Sequence, residues 1–358
     1  MTVAAPPLKP SRPINVKGGE PILGHKGTLL SNGRQLINMR MALCQALYEE
    51  MKRDPTIYVM GEEVAQYNGA YKVTKGLLDE FGPDRVIDSP ITEGGFTGIA
   101  VGAAMTGLRP VIEYMSWNFS FVAFDQIISN ASKMSYMTGG MFQIPIVMRG
   151  PNGAGPRVSS QHSHAVEALY AHFPGLIVVS PSTPFDAKGL LKTALRQQNP
   201  VCFLENEMLY NYEQEIPVEE YTLPFGVGEV KREGADCTIV AVSRSVHWAL
   251  EAAEELAKDG IHCEVVDPRT VKPLDIDLIV KSVQKTGRLV VVEECYQTGG
   301  LGAEIGVQVV QRCFEDLDAP PERVTTTENP MPYAANLEHE TLPKPHRIIA
   351  AVRRACYR

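Results

Sequence analysis

From Leu36 onward, apolar positions recur first at helical spacing and then in short unbroken runs, and the two patterns alternate to the end of the chain. LINMRMALCQALYEEMKR repeats its apolar residues every three or four positions and closes on basic residues, which predicts an amphipathic helix. TIYVMG predicts a short strand, and VTKGLLDEFG a helix stopped by glycine. RVIDSPI reads as a strand and turn, GGFTGIAVGAAMTG as a helix of small residues, RPVIEYM as a strand, and FSFVAFDQIISNASKMSYM as one long helix. IPIVMRG and LIVVSPS are continuous apolar runs, the pattern of strands buried on both faces of a parallel sheet. PFDAKGLLKTALRQQ and PVCFLENE add a helix and a strand.

Between residues 206 and 230 the rhythm breaks into polar, aromatic and proline-containing sequence, which predicts a linker crossing the surface. Alternation resumes with CTIVAVS, HWALEAAEELAKDG, CEVVDPR, DIDLIVKSVQKTG, RLVVVEE, LGAEIGVQVVQRCFEDL and a terminal helix IIAAVRRACY. The fold class is therefore α/β, with two parallel-sheet domains. The expected boundaries are an extended, flexible arm at 1–35, a first domain at 36–205, the linker at 206–230 and a second domain at 231–358.

Composition narrows the function class. The 358 residues are 44% hydrophobic and 21% charged, as in soluble globular proteins. A net charge of -8 gives no electrostatic footprint for nucleic acid. No apolar run reaches the ~20 residues that span a bilayer. Seven cysteines are scattered with no CxxC pair, which predicts reduced, mostly buried thiols in a cytosol-like compartment. The first residues lack the apolar core of a secretory signal, and their prolines break any amphipathic transit helix. Bacterial cytoplasm is the expected compartment, with a mitochondrial or plastid origin as the lesser alternative.

Three stretches are candidates for chemistry. Glu93 heads a helix too rich in glycine to form by propensity, since each glycine costs up to ~1 kcal/mol relative to alanine. Close approach of a neighbouring helix or a ligand would offset that cost. Two readings of Glu93 stand: an acid favoured by the helix dipole, or a partly buried carboxylate exchanging a proton with a ligand nitrogen. RGPNGAGPRVSSQHSHA is a Gly/Pro-rich loop after a strand, a usual place for binding. An extended backbone would put His162 and His164 on one face, but no third ligand has zinc spacing. Proton transfer by a histidine, or hydrogen bonding to loop carbonyls, fits better. In GGLGAEIG the last glycine gap holds three residues, not the two of a dinucleotide fingerprint.

Several motifs carry a resemblance: GEEVAQYNGAYKVTKGL (61–77), PITEGGFTGIAVGAAMTGLRP (90–110), RGPNGA (149–154), QHS (161–163), LDAPPERVT (317–325) and MPYA (331–334). From about residue 36 to the C-terminus, the chain resembles the β subunits of thiamine-diphosphate-dependent E1 components, of the pyruvate dehydrogenase type. The run EEVAQYNGAYKV is the pyruvate-type variant. The resemblance implies a transketolase-like pyrimidine-binding domain followed by a transketolase C-terminal-like domain. It implies an α2β2 heterotetramer with thiamine diphosphate bound between the α and β chains.

The family's GDG…NN motif for diphosphate and magnesium is missing, so the α subunit is expected to supply that end. Glu93 matches the glutamate that hydrogen-bonds N1′ of the aminopyrimidine, assisting removal of the thiazolium C2 proton. His162 matches the active-site histidine that serves the intermediate and the incoming lipoyl group. Phe119 and Met115 match an aromatic and an apolar wall near the aminopyrimidine. Ile146, Ala194, Leu195, Gln197 and Asn199 match a structural potassium site, with Gln197 in place of an aspartate. The implied reaction is oxidative decarboxylation of pyruvate and acetylation of the lipoyl group of an E2 acyltransferase. The alternatives are a branched-chain 2-oxo acid or acetoin enzyme, or a non-catalytic assembly subunit.

Overall fold

The computed structural model describes residues 27–358, and most of the expected arm, residues 1–26, lies outside them. The first half runs β1 (Thr28–Leu29), β2 (Arg34–Asn38), α1 (Met39–Arg53), β3 (Ile57–Gly61), α2 (Leu77–Phe81) and β4 (Val86–Asp88). It continues through α3 (Glu93–Met105), β5 (Arg109–Glu113), α4 (Met134–Met137), β6 (Val147–Asn152) and α5 (Glu167–Ala171). β7 (Ile177–Val179), α6 (Pro184–Leu195), β8 (Val201–Asn206) and β9 (Glu213–Pro217) complete it.

The second half begins with β10 (Glu229–Arg232), β11 (Cys237–Ala241), α7 (Ser245–Lys258), β12 (Cys263–Asp267) and β13 (Thr270–Lys272). It ends with α8 (Ile276–Thr286), β14 (Leu289–Tyr296), α9 (Leu301–Cys313), β15 (Glu322–Thr326), α10 (Ala335–Thr341) and α11 (Pro345–Ala355).

The alternation builds two sheets of the expected kind. The first has the order β13-β7-β8-β6-β5-β3-β4 and the second β10-β12-β11-β14-β15. Both are parallel except at one edge, where β13 and β10 run antiparallel to their neighbours. The apolar runs of β6 and β8 are buried at every residue, which is why they read as continuous rather than alternating.

Four expectations need correction. The 206–230 stretch is not all linker: β9 pairs along β2 from Arg34↔Pro217 to Asn38↔Glu213, so Glu213–Pro217 joins the first half, while Glu229 and Val230 already open β10 of the second sheet. Of the expected arm, Thr28–Leu29 form β1 and Arg34 and Gln35 open β2 in the same small sheet. The long helix of residues 119–137 is broken into a 3-10 turn (Trp117–Ala123), a π turn (Gln126–Ala131) and α4. Serines cause part of this, because the Ser120 and Ser132 hydroxyls bond back to the carbonyls of Trp117 and Ile128 and compete with the regular ladder. The helix over VTKGLLDEFG shrinks to α2, because Gly76 stands at φ +79° and left-handed backbone cannot continue a helix.

The domains are joined by more than the chain. β13 comes from the second half yet extends the first sheet through Thr270↔Val179. Arg269 and Lys231 reach buried Asp186 at 2.7 and 3.0 Å. Burial and the neighbouring Asp186 push the Asp267 carboxyl up to about 6.

Candidate functional site

The site lies where β3, β5 and β6 end. Parallel strands release their chains at one edge of a sheet, so the loops after β3, β5 and β6 converge there with the start of α3. Glu93 is the first residue of α3 and is 94% buried, with 6% of its surface exposed. Its neighbour Gly94 lets α3 approach the 117–123 turn, since a Cβ there would stand 3.1 Å from the Val122 carbonyl. Gly98 faces the Gln126 side chain, whereas Gly102 faces open space. The small-residue helix is thus only partly explained by packing within the chain.

Glu62, immediately after β3, is the residue that sequence reasoning missed. It is buried, and burial together with the neighbouring Glu93 carboxyl pushes its own carboxyl up to about 7. Its Oε1 has no hydrogen-bond partner. The only sequence signal was an acid directly after an apolar strand in GEEV. Two adjacent buried carboxyls share a proton rather than both ionising. A raised carboxyl pKa stabilises the fold below the ordinary value of 4.5, and that contribution is lost as pH rises through about 7. Glu62→Gln is therefore expected to melt higher than the parent at pH 8, with the gap closing at pH 5. Parallel melting curves at both pH values check this.

The Phe119 turn and the His162 loop are stitched together. Asn118 Oδ1 accepts from the His164 backbone N–H at 3.0 Å and contacts His164 Nδ1 at 2.7 Å. Phe119 meets the His162 ring edge-on, with centroids 5.2 Å apart, and Phe121 meets His164 at 5.5 Å. Asn152, from the RGPNGA loop, accepts from the Val166 N–H and donates to Glu167 Oε1. His164 is lowered by burial and serves as a structural contact, while His162 sits in a short 3-10 turn at Ser160–His162.

Among the described residues, Glu93 and His162 share no hydrogen bond, ion pair or ring contact. The 117–123 turn links the two, touching α3 through Val122 and His162 through Phe119. Met115 is half-buried between β5 and this turn. Glu207, also missed, has its carboxyl raised by burial, with Tyr71 acting against that rise.

The residues matched to a potassium site surround the C-terminus of α6. There Arg109 Nη1 donates to the carbonyls of Leu195 (3.2 Å) and Gln197 (2.7 Å). The Ala194 carbonyl accepts from Gln197 N, and that of Ile146 from Val201 N. A cavity of about 820 Å³ lies elsewhere, lined by residues of α5 and α9. The Glu93 site is instead an open surface rimmed by exposed Ile91, Ile99, Phe121 and Val122.

Thiamine diphosphate can be tested against these residues. Its aminopyrimidine offers ring nitrogens and an amino group, and needs a proton-sharing acid, a further acceptor and an apolar wall. The Glu62–Glu93 pair with its partnerless oxygen, together with half-buried Phe119 and Met115, fits that need.

Fold and site together define a transketolase-type chain. Residues 35–213 match the family model "Transketolase, pyrimidine binding domain", and residues 226–348 match "Transketolase, C-terminal domain". A solved structure described as a split gene transketolase, an inactive β4 tetramer, superposes with a TM-score of 0.73. It covers 90% of this chain and 98% of its own, at 24% identity, and supports the fold.

The chain belongs to the family of pyruvate dehydrogenase E1 component β subunits. It is 53% identical to the mitochondrial subunit beta-2 of Oryza sativa subsp. japonica, over 90% of this chain and 87% of that protein. It is also 53% identical to the subunit beta of Rickettsia bellii, over 90% of this chain and 99% of that protein.

Proposed function

We propose that this chain is the β subunit of an E1 component that decarboxylates pyruvate oxidatively with thiamine diphosphate and acetylates the lipoyl group of E2. The buried Glu62–Glu93 pair, open on one oxygen, carries this reading. Thiamine diphosphate, when bound, would supply a nucleophilic carbon and a sink for the electron pair released as carbon dioxide leaves.

The chain's own residues do the rest. Glu93 holds and returns a proton at a ring nitrogen, and Glu62 keeps that proton available near neutral pH. Phe119 and Met115 exclude water from the ring face. His162, on the far side of the Phe119 turn, handles protons on the substrate and lipoyl side.

The partner is an α subunit in an α2β2 assembly, which holds the diphosphate and magnesium. The open, apolar-rimmed site supports a second chain closing over it. The half-buried Arg109 guanidinium on the Leu195 and Gln197 carbonyls already places a positive charge at the matched potassium position, so potassium is no part of this mechanism. Seven free thiols fit a reducing compartment, and the relatives named above are bacterial and mitochondrial. Among the described residues no helix is long and apolar enough to cross a membrane.

The test is pyruvate decarboxylation with an artificial electron acceptor, thiamine diphosphate and magnesium. The expected result is turnover by the chain co-expressed with its α partner and none by the chain alone. Turnover by the chain alone would overturn the split site. A folded heterotetramer inert to pyruvate but active on a branched 2-oxo acid would overturn the substrate.

A further inference from the structure

Away from the cofactor site, three of the seven cysteines meet at one end of the second sheet. Cys237 opens β11, Cys263 opens β12, and the two are direct partners in the parallel pairing. Register partners on neighbouring strands point to the same face, so both thiols lie on the side covered by α7 and α11. Cys356 caps the end of α11, with Sγ 3.9 Å from the carbonyl of Asp236, the residue before Cys237. The Cys237 thiol bonds its neighbour's carbonyl at Thr238, 3.7 Å away, and lies between the register partner Cys263 and the α11 cap at Cys356.

Exposure divides the three. Cys237 and Cys263 are fully buried, and Cys356 is partly exposed. Charge divides them in the same sense. The nearby Cys237 thiol first, and the Arg288 and Arg358 guanidiniums after it, outweigh burial and Asp236 and bring the Cys356 thiol down to about 7. Arg288 is fixed beside it, donating to the Asp236 carbonyl at 3.1 Å. The Cys237 thiol is held well above its ordinary range. Among the described residues no three histidine, cysteine or acidic side chains are arranged to hold a metal ion, so the cluster points to sulfur chemistry.

We propose that these thiols form a hydroperoxide-reactive site, in which Cys356 is oxidised first and Cys237 resolves it to a Cys237–Cys356 disulfide. The Cys356 thiolate attacks one peroxide oxygen. An S–O bond forms, the O–O bond breaks, water or an alcohol leaves, and Cys356 becomes a sulfenic acid. The Cys237 sulfur then displaces that oxygen: the S–S bond forms, the S–O bond breaks, and a second water carries off the Cys237 proton. Two thiols have lost two electrons and the peroxide has gained them.

Accessible thiolate beside a resolving thiol is the arrangement that favours this sequence over further oxidation. Helix ends are the part of a helix that yields, so Cys356 at its cap can close the remaining distance. The product fastens α11 to β11. Cys263, in register with Cys237, stands where it can exchange into the bond.

The experiment treats the full chain, alone and co-expressed with its α partner, with a small excess of hydrogen peroxide. Thiols are then blocked and peptides mapped by mass. The expected product has lost two hydrogens per chain, links the Cys237 and Cys356 peptides, and reverts with dithiothreitol. Cys237→Ala should trap Cys356 as a sulfenic acid that dimedone labels, and Cys356→Ser should slow thiol loss at least tenfold. A Cys237–Cys263 link in place of Cys237–Cys356 would overturn the role of Cys356. So would a Cys356 that reacts no faster than buried Cys44 and Cys202, or one that passes to the sulfinic acid without the link.

Discussion

Glu93→Gln in the assembled α2β2 enzyme is expected to lower pyruvate decarboxylation by about 10²–10⁴-fold, the usual contribution of a positioned general acid–base group. The substitution keeps the volume and one hydrogen-bonding oxygen, so α3 and the pocket survive it. What it removes is the ability to take up a proton. Because the Glu93 carboxyl acts on neighbouring Glu62, the effect is also expected to depend on that neighbour. Glu62→Gln leaves Glu93 in place and should reduce turnover less, while shifting the pH profile of kcat. A Glu93→Asp variant, one methylene short, should fall between the two. Steady-state rates with an artificial acceptor for the three variants decide the matter. If Glu93→Gln turns over like the parent and only melts lower, the acid is no more than a dipole partner for α3, worth about 0.3–1 kcal/mol.

Much of this arrangement was legible in the chain. The alternation of 3.6-residue and continuous apolar patterns gave two α/β domains, and the glycine-rich run after Glu93 marked a helix needing close neighbours. Gly94 and Gly98 have such neighbours in the chain, and Gly102 has none. What was hidden depended on tertiary contact. Glu62 looked like a polar residue after a strand, and only the approach of α3 puts a second carboxyl beside it. β9 read as linker because its residues, EQEIP, are mostly polar; its pairing with β2 is a backbone interaction that side-chain patterns do not record. The broken helix at residues 117–137 failed for the converse reason. Its composition is helical, but hydroxyls of Ser120 and Ser132 compete for carbonyls, and Ser120 also meets the buried Tyr170 hydroxyl at 2.5 Å.

The second large effect falls on folding. Arg149 is 99% buried at the head of the RGPNGA loop, with 1% of its surface exposed. It bonds Glu113 from β5 and, through two nitrogens, Glu205 from β8, and both acids are buried with it. Tyr210 adds its hydroxyl to Glu205 at 2.7 Å. One guanidinium therefore bridges two carboxyl groups across three adjacent strands of the first sheet.

Arg149→Met removes it and leaves both acids inside a dry sheet edge. Breaking a buried pair in this way costs about 3–5 kcal/mol, because the charge left behind is uncompensated. That is a large share of the stability of an ordinary domain. The variant also has a predictable pH response. Burial already raises Glu113 even with Arg149 present, and without the arginine that carboxyl is expected to hold its proton more tightly in the fold than in the unfolded chain. Such groups contribute stability below the unfolded carboxylate value and lose it as pH rises through the folded one. Arg149→Met is thus expected to become more stable from pH 8 to pH 5.

Denaturant midpoints of parent and variant at both pH values measure this. A triple change, Glu113→Leu with Arg149→Met and Glu205→Leu, should recover much of the loss, because it removes the stranded charges rather than exposing them. A single variant as stable as the parent at pH 8 would mean that the two acids are already neutral in the native chain. The guanidinium would then serve the geometry of the RGPNGA loop rather than the stability of the sheet.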